Sequence, residues 1–225
     1  MACCSALPSG RTSFARIEPV STVDGTSPFG VMTHFAQGWS TDIVLLIAAA
    51  GIRHVRDEQY WAEMEPERGR FVMPTGYAAY VAALQSHGIG LLLEATFGNP
   101  RYDGGVTPFS PEAQAAFGRY AAELCRRNRV RLDAIEVWNE INGSFCDGPC
   151  LQDRPGVYAG MLKQAHAALK AVDPTVTVVG GAAVLAPLPW FRDLLDRGVL
   201  AELDVLAVHP YRPQPEGVEA DIAAL

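Results

Sequence analysis

"SPEAQAAFGRYAAELCRRNRVRLDAIEVWNE", residues 110–140, holds one helix and one strand, and the pairing decides the kind of fold. Ser110 is a cap residue, Pro111 suits a first helical turn and Glu112 lies near the positive end of the helix dipole. The arginines of "CRRN" (125–128) suit the negative end. "AIEVWNE" (134–140) then reads as a strand of apolar residues that ends in Trp138, Asn139 and Glu140.

The same rhythm recurs on both sides. Apolar, β-favouring runs occur at "FGVMTHF" (29–35), "IRHVR" (52–56), "IGLLLEATF" (89–97), "VTVVGGA" (176–182) and "LDVLAVHPY" (203–211). Helical segments lie between them. "STDIVLLIAAAG" (40–51) has Ser or Thr to cap it and Gly51 to stop it, and "TGYAAYVAALQSHG" (75–88) ends in Gly88. "DRPGVYAGMLKQAHAALKAVDP" (153–174) and "LPWFRDLLDRG" (188–198) follow. Strands alternating with helices imply βαβ units and a parallel sheet covered on both faces. Neither a GxGxxG turn nor a GxxxxGK[ST] loop follows any strand, so a nucleotide-binding sheet loses its main support. The remaining expectation is an incomplete TIM (β/α)8 barrel with about six units present, where a full barrel takes about 250 residues. A six-stranded open sheet is the alternative. Residues 1–28, rich in Ser, Thr, Pro and Gly, read as a flexible lead-in, and 29–225 as one partial domain that stops without a terminator signal.

Bulk properties narrow the partners. The net charge is −7, from 18 basic and 25 acidic side chains, which argues against nucleic acid or an anionic membrane surface. No uninterrupted apolar run is long enough to span a bilayer. The N-terminus shows no basic stretch followed by an apolar one. Five cysteines make no disulfide framework. Cys146 and Cys150 flank "DGP" and are either free thiols or a local bridge; without nearby histidines they are a poor zinc site.

A barrel carries its chemistry at the C-terminal ends of its strands. His34, Arg56, Asn99, Asn139 with Glu140, and His209 with Tyr211 all fall there, while the fifth strand ends in "GGAA" and offers little. Glycosidic hydrolysis commonly uses two carboxyl groups, one protonated to assist the leaving oxygen. Partial desolvation near aromatic rings favours that protonated form. Glu136 fails as a partner for Glu140, because four residues along a strand span about 13 Å whereas a retaining pair needs about 5–5.5 Å. Glu94 reads as part of an internal network, and Asp57 and Glu58 as loop or cap charges, with reach to the rim as the alternative for either. Arg56 is expected either at the site or in a structural pair with Glu94 or Glu136. His54, His87 and His166 carry no expected site role.

"VWNE" resembles the acid/base motif of the clan A glycoside hydrolases, which are (β/α)8 barrels with a retaining mechanism. "GIRHVRDEQYWAEMEPERGRF" (51–71), "LLLEATFGNPRYDGG" (91–105) and "VLAVHPY" (205–211) are similar to segments of the xylosidase, iduronidase and exopolysaccharide-hydrolase group, family 39, and more distantly of the cellulase-like family 5. The resemblance implies Glu140 as general acid/base and Asn139 on the sugar 2-hydroxyl. It implies Arg56 and Tyr211 beside the nucleophile, His34, Asn99 and His209 lining the subsite, and Trp138 or Trp61 as an apolar wall. It implies a carbohydrate substrate, no metal or organic cofactor, and a location outside the cytoplasm. The family's nucleophile is a Glu on a seventh strand. Glu216 and Glu219 follow the sixth strand too soon and sit in what reads as a loop and helix, so the partner of Glu140 is expected outside these residues. Two rivals stand beside this reading: a non-catalytic carbohydrate-binding or degenerate barrel, and an unrelated lyase or aldolase-type barrel. The Schiff-base version of the latter lacks a strand-end lysine.

Overall fold

The computed structural model describes residues 29–128, 132–214 and 216–225; the lead-in expected at 1–28, with Cys3 and Cys4, lies outside them. Six strands form one parallel sheet in chain order: β1 Gly30–Met32, β2 His54–Tyr60, β3 Gly90–Thr96, β4 Leu132–Val137, β5 Thr177–Val184 and β6 Val205–His209. Every adjacent pair is parallel. The helices are α1 Ile43–Ala49, α2 Trp61–Met64, α3 Tyr77–Ser86, α4 Pro111–Asn128, α5 Arg154–Val172, α6 Leu188–Asp196 and α7 Val218–Ala223. The fold is an incomplete TIM barrel, a curled sheet with helices on its outer face.

Alternation along each strand builds two layers. Leu91, Leu93, Ile135 and Val137 are fully buried and pack on the helical layer with Trp61, Phe117, Tyr120 and Tyr158. The intervening residues face the barrel interior, where Arg56 meets Glu94 and Glu136. Helix α4 and helix α5 approach closely, because a Cβ on Gly118 would sit 2.6 Å from the Gln164 carbonyl oxygen.

Local signals explain some boundaries and miss others. Ser110 Oγ accepts from Ala113 N at 3.1 Å, the cap expected for α4. Asp153 does the same for α5 through Gly156 N at 3.1 Å. The Ser expected to cap the start of α1 does so just ahead of the helix, where Ser40 Oγ accepts from Asp42 N at 3.2 Å; Asp42 itself makes no side-chain cap bond. Strand β1 stops at Met32, and Phe35–Gln37 form a 3-10 turn instead of continuing it. Strand β2 runs to Tyr60, four residues past the expected end, so Asp57 and Glu58 lie on a strand and are buried. The loop and cap roles expected for these two acids are corrected accordingly.

Candidate active site

Strand β4 ends at Val137, and Glu140 rides on a turn beyond it. Trp138 and Glu140 have φ of 66° and 42° in the left-handed region, unusual for side-chain-bearing residues and costing about 1–3 kcal/mol each. The surroundings hold the turn. Trp138 N donates to Ala95 O at 3.0 Å, and Trp138 Nε1 to Phe145 O at 2.7 Å. Asn142 closes a two-bond clamp with the Val184 backbone, at 2.9 and 3.1 Å. Arg154 caps the carbonyls of Asn142 and Gly143 at 2.5 and 2.7 Å. Strand β5, expected to add little, therefore anchors, through Val184, the turn that carries Glu140.

His209, the last residue of β6, stands between two glutamates. Its Nδ1 is 2.8 Å from Glu140 Oε1 and its Nε2 3.2 Å from Glu136 Oε1. Arg56 Nε donates to Glu136 Oε2 at 2.6 Å, its guanidinium also pairs with Glu94, and Nη2 lies 3.4 Å from Asn139 Oδ1. Tyr211 is exposed and stands near Glu140. One chain of contacts thus runs from Glu94 through Arg56, Glu136 and His209 to Glu140, beside Tyr211. The expected alternatives for Arg56 merge, since it pairs with both glutamates and touches Asn139.

Burial and pairing divide the charge. Desolvation raises the Glu136 carboxyl, but the His209 bond and the Arg56 charge outweigh it and hold the group below the usual range. Glu94 lacks the histidine. Desolvation pushes it up to about 8, with Arg56 opposing and the Glu136 charge adding. Of the two acids beside one guanidinium, Glu136 is therefore the ion and Glu94 keeps its proton at neutral pH. His209 is lowered by desolvation and raised further by its bonds to Glu136 and Glu140, so its net shift is upward. Desolvation also raises Tyr211, with Glu140 adding to the effect.

A cavity of about 300 Å³ opens over this network. Asn139 and Tyr211 line one end; His34, Gln37, Glu58 and Tyr60 line the other; Phe97 and Phe145 form an apolar wall. The Phe97 and Phe145 rings stack at 5.2 Å and 18°. Phe145 is 40% exposed, on a loop where Cys146 and Cys150 are disulfide-bonded.

Two expected site residues lie elsewhere. Asn99 is 1% exposed. Its amide donates to Glu65 O and accepts from Arg101 N, both at 2.9 Å, so it staples loops and does not line the cavity. Trp138 is 2% exposed and packs edge-on against Phe97 and Phe117, which makes it core behind the wall. Trp61 is fully buried, with Nε1 on Glu65. Conversely, Glu58, for which the rim was only the alternative to a loop or cap role, lines the cavity, as do Gln37, Tyr60 and Phe145, which were not among the expected ligands. The signal for two of them was the alternation Arg56, Glu58, Tyr60 along β2, hidden by the polar run "RDEQ".

The sheet, the rim acid and the cavity together invite comparison with solved proteins. A family 39 glycoside hydrolase from the gut symbiont Bacteroides cellulosilyticus WH2 matches with TM-score 0.70 and 25% identity, over 82% of this chain and 38% of its own. The chain is similar to family 39 glycoside hydrolases. A family 39 β-xylosidase from Caulobacter crescentus shares the fold at TM-score 0.68 and 18% identity, over 93% of this chain and 51% of its own. A family 39 enzyme from Xanthomonas axonopodis pv. citri does so at 0.66 and 18%, over 92% and 48%. The chain thus spans about half the length, or less, of the structures it matches. No sequence family and no curated protein matches it. Among the described residues no helix is long and apolar enough to cross a membrane, and no cluster of His, Cys, Asp and Glu is arranged to hold a metal ion.

Proposed function

We propose that residues 29–225 are part of the catalytic domain of a retaining glycoside hydrolase acting on O-glycosidic bonds of an oligo- or polysaccharide. The observation that carries the reading is Glu140, set on a clamped rim turn directly after the cavity-lining Asn139, with His209 on its carboxyl. In this reading Glu140 donates its proton to the leaving oxygen, and then takes one from the water that releases the sugar. Asn139, oriented by Arg56, bonds the hydroxyl beside the reacting carbon. The nucleophilic carboxylate comes from a strand beyond the six. His209 exchanges a hydrogen bond with Glu140 in both of its states, and Glu136 keeps the imidazole in place.

The test uses the complete gene product with aryl glycosides and NMR of the released sugar. The expected product retains its anomeric configuration, and Glu140→Gln lowers kcat about 100- to 10,000-fold. Inverted product overturns the retaining mechanism. Unchanged turnover in Glu140→Gln removes Glu140 as acid/base. Sugar binding without hydrolysis makes the protein a carbohydrate-binding barrel.

A further inference from the structure

The far end of the cavity carries a carboxyl group that the acid/base chemistry does not use. Glu58 follows Arg56 on the inward face of β2, and its side chain is only 6% exposed. Gln37 Nε2 donates to Glu58 Oε1 at 2.7 Å, and the Tyr60 hydroxyl to the same oxygen at 3.3 Å. His34 Nδ1 lies 3.2 Å from both carboxyl oxygens. Oε1 therefore has three neighbours, whereas Oε2 has only the shared imidazole. A carboxylate offers about four acceptor sites, so Oε2 keeps capacity toward the cavity. Residues from two strand ends fix the group, so little side-chain freedom remains to be lost when a ligand binds.

We propose that Glu58, held by His34, Gln37 and Tyr60, grips a hydroxyl of an uncharged sugar in this cavity and makes the site discriminate against uronic acids. The inference rests on the glycoside hydrolase reading and adds the substrate class. With Oε1 filled, Oε2 is left to accept a hydroxyl proton from a ring carbon. A sugar carboxylate finds no counter-ion there: among the described residues lining the cavity, Arg56 is paired with Glu136 and Glu94, and His34 with Glu58. His209 beside it is shared by Glu136 and Glu140. An anion entering this space meets the carboxyl groups of Glu58 on β2 and Glu136 on β4, with Glu94 between them uncharged, and is disfavoured.

The experiment is binding of D-xylose, D-glucose, D-mannose and D-glucuronic acid to the chain, followed by saturation-transfer NMR and titration. Binding of at least one uncharged sugar in preference to glucuronic acid is expected. Glu58→Gln, with an unchanged circular dichroism spectrum, weakens the uncharged sugar by roughly tenfold or more and narrows the preference. If Glu58→Gln does not fold, Gln37→Leu removes the 2.7 Å bond that fixes the carboxyl and is read the same way. Equal affinity in the parent and the variant overturns the role of Glu58. Glucuronic acid bound as tightly as the uncharged sugars overturns the substrate class; both results leave the hydrolase reading standing. A parent chain that binds none of the four sugars overturns this inference, while the hydrolase reading stands or falls on the complete gene product.

Discussion

Trp138 and Phe145 are both aromatic and close in sequence to Glu140, yet they do different work. Trp138 packs between Phe97 and Phe117, out of reach of solvent. Truncating it to alanine should remove about 3–5 kcal/mol of stability and lower the unfolding temperature. Phe145 stands on the cavity wall with one face open. Phe145→Ala should leave the melting curve nearly in place and weaken sugar binding several-fold, because the stacking face is lost. If both variants melt early, Phe145 is core as well. "VWNE" alone says nothing about this division, since an indole beside a site residue can turn to either side of the sheet. The left-handed turn at Trp138 and Glu140 decides it, and non-glycine residues in that region leave no mark in composition.

Elements with strong local signals were readable, and those held by tertiary contacts were not. Helices α4 and α5 follow from caps, dipole charges and length. The end of β2 did not, because "RDEQ" is polar in a one-dimensional reading. In the fold, Asp57 is buried against the helical layer by bonds from Thr33 and Phe35 N at 2.6 and 3.1 Å, while Glu58 turns into the barrel. Of the expected site, the rim position of Glu140, Asn139, His34, His209 and Tyr211 was legible; Arg56, expected at the end of its strand, lies mid-strand inside the barrel. The pairing among them was not, because it joins strands distant in sequence. The contact between α4 and α5 makes its own prediction. Gly118→Val should lose about 1–3 kcal/mol, because the new side chain meets backbone that cannot yield without moving the helices apart. Urea unfolding measures the difference, and an unchanged midpoint would refute the close approach.

Across the whole molecule, the buried polar network sets the response to pH. Glu94 rises from 4.5 to about 8 in the folded chain, and Asp57 from 3.8 to about 6. A raised acid keeps its proton when folded and releases it when unfolded, so both groups make stability fall as pH rises through those intervals. His209, raised above 6.5, acts in the same direction: its contribution is present below that value and disappears as pH rises through its folded pKa. Glu136, lowered, contributes above its unfolded value of 4.5 and loses that contribution only in acid. Unfolding free energy should therefore decline between about pH 5 and 8, and Glu94→Gln should flatten the decline; identical slopes would discount Glu94. The edge strands give a second whole-molecule prediction. Val205 and Leu206 of β6 are exposed, as are Leu45 and Leu46 of α1. The isolated chain should self-associate with rising concentration, and Val205→Lys should reduce this in sedimentation. One feature of the sheet ties pairing to chemistry. Glu58, Glu94 and Glu136 stand opposite one another in a single row across β2, β3 and β4. A slip of one residue in any of these strands would turn its glutamate into the apolar helical layer and push a leucine, isoleucine or other outward residue into the cavity. The row acts as a combination lock: only the alignment that seals the interior also assembles the acids, so a misthreaded sheet cannot present a half-formed site.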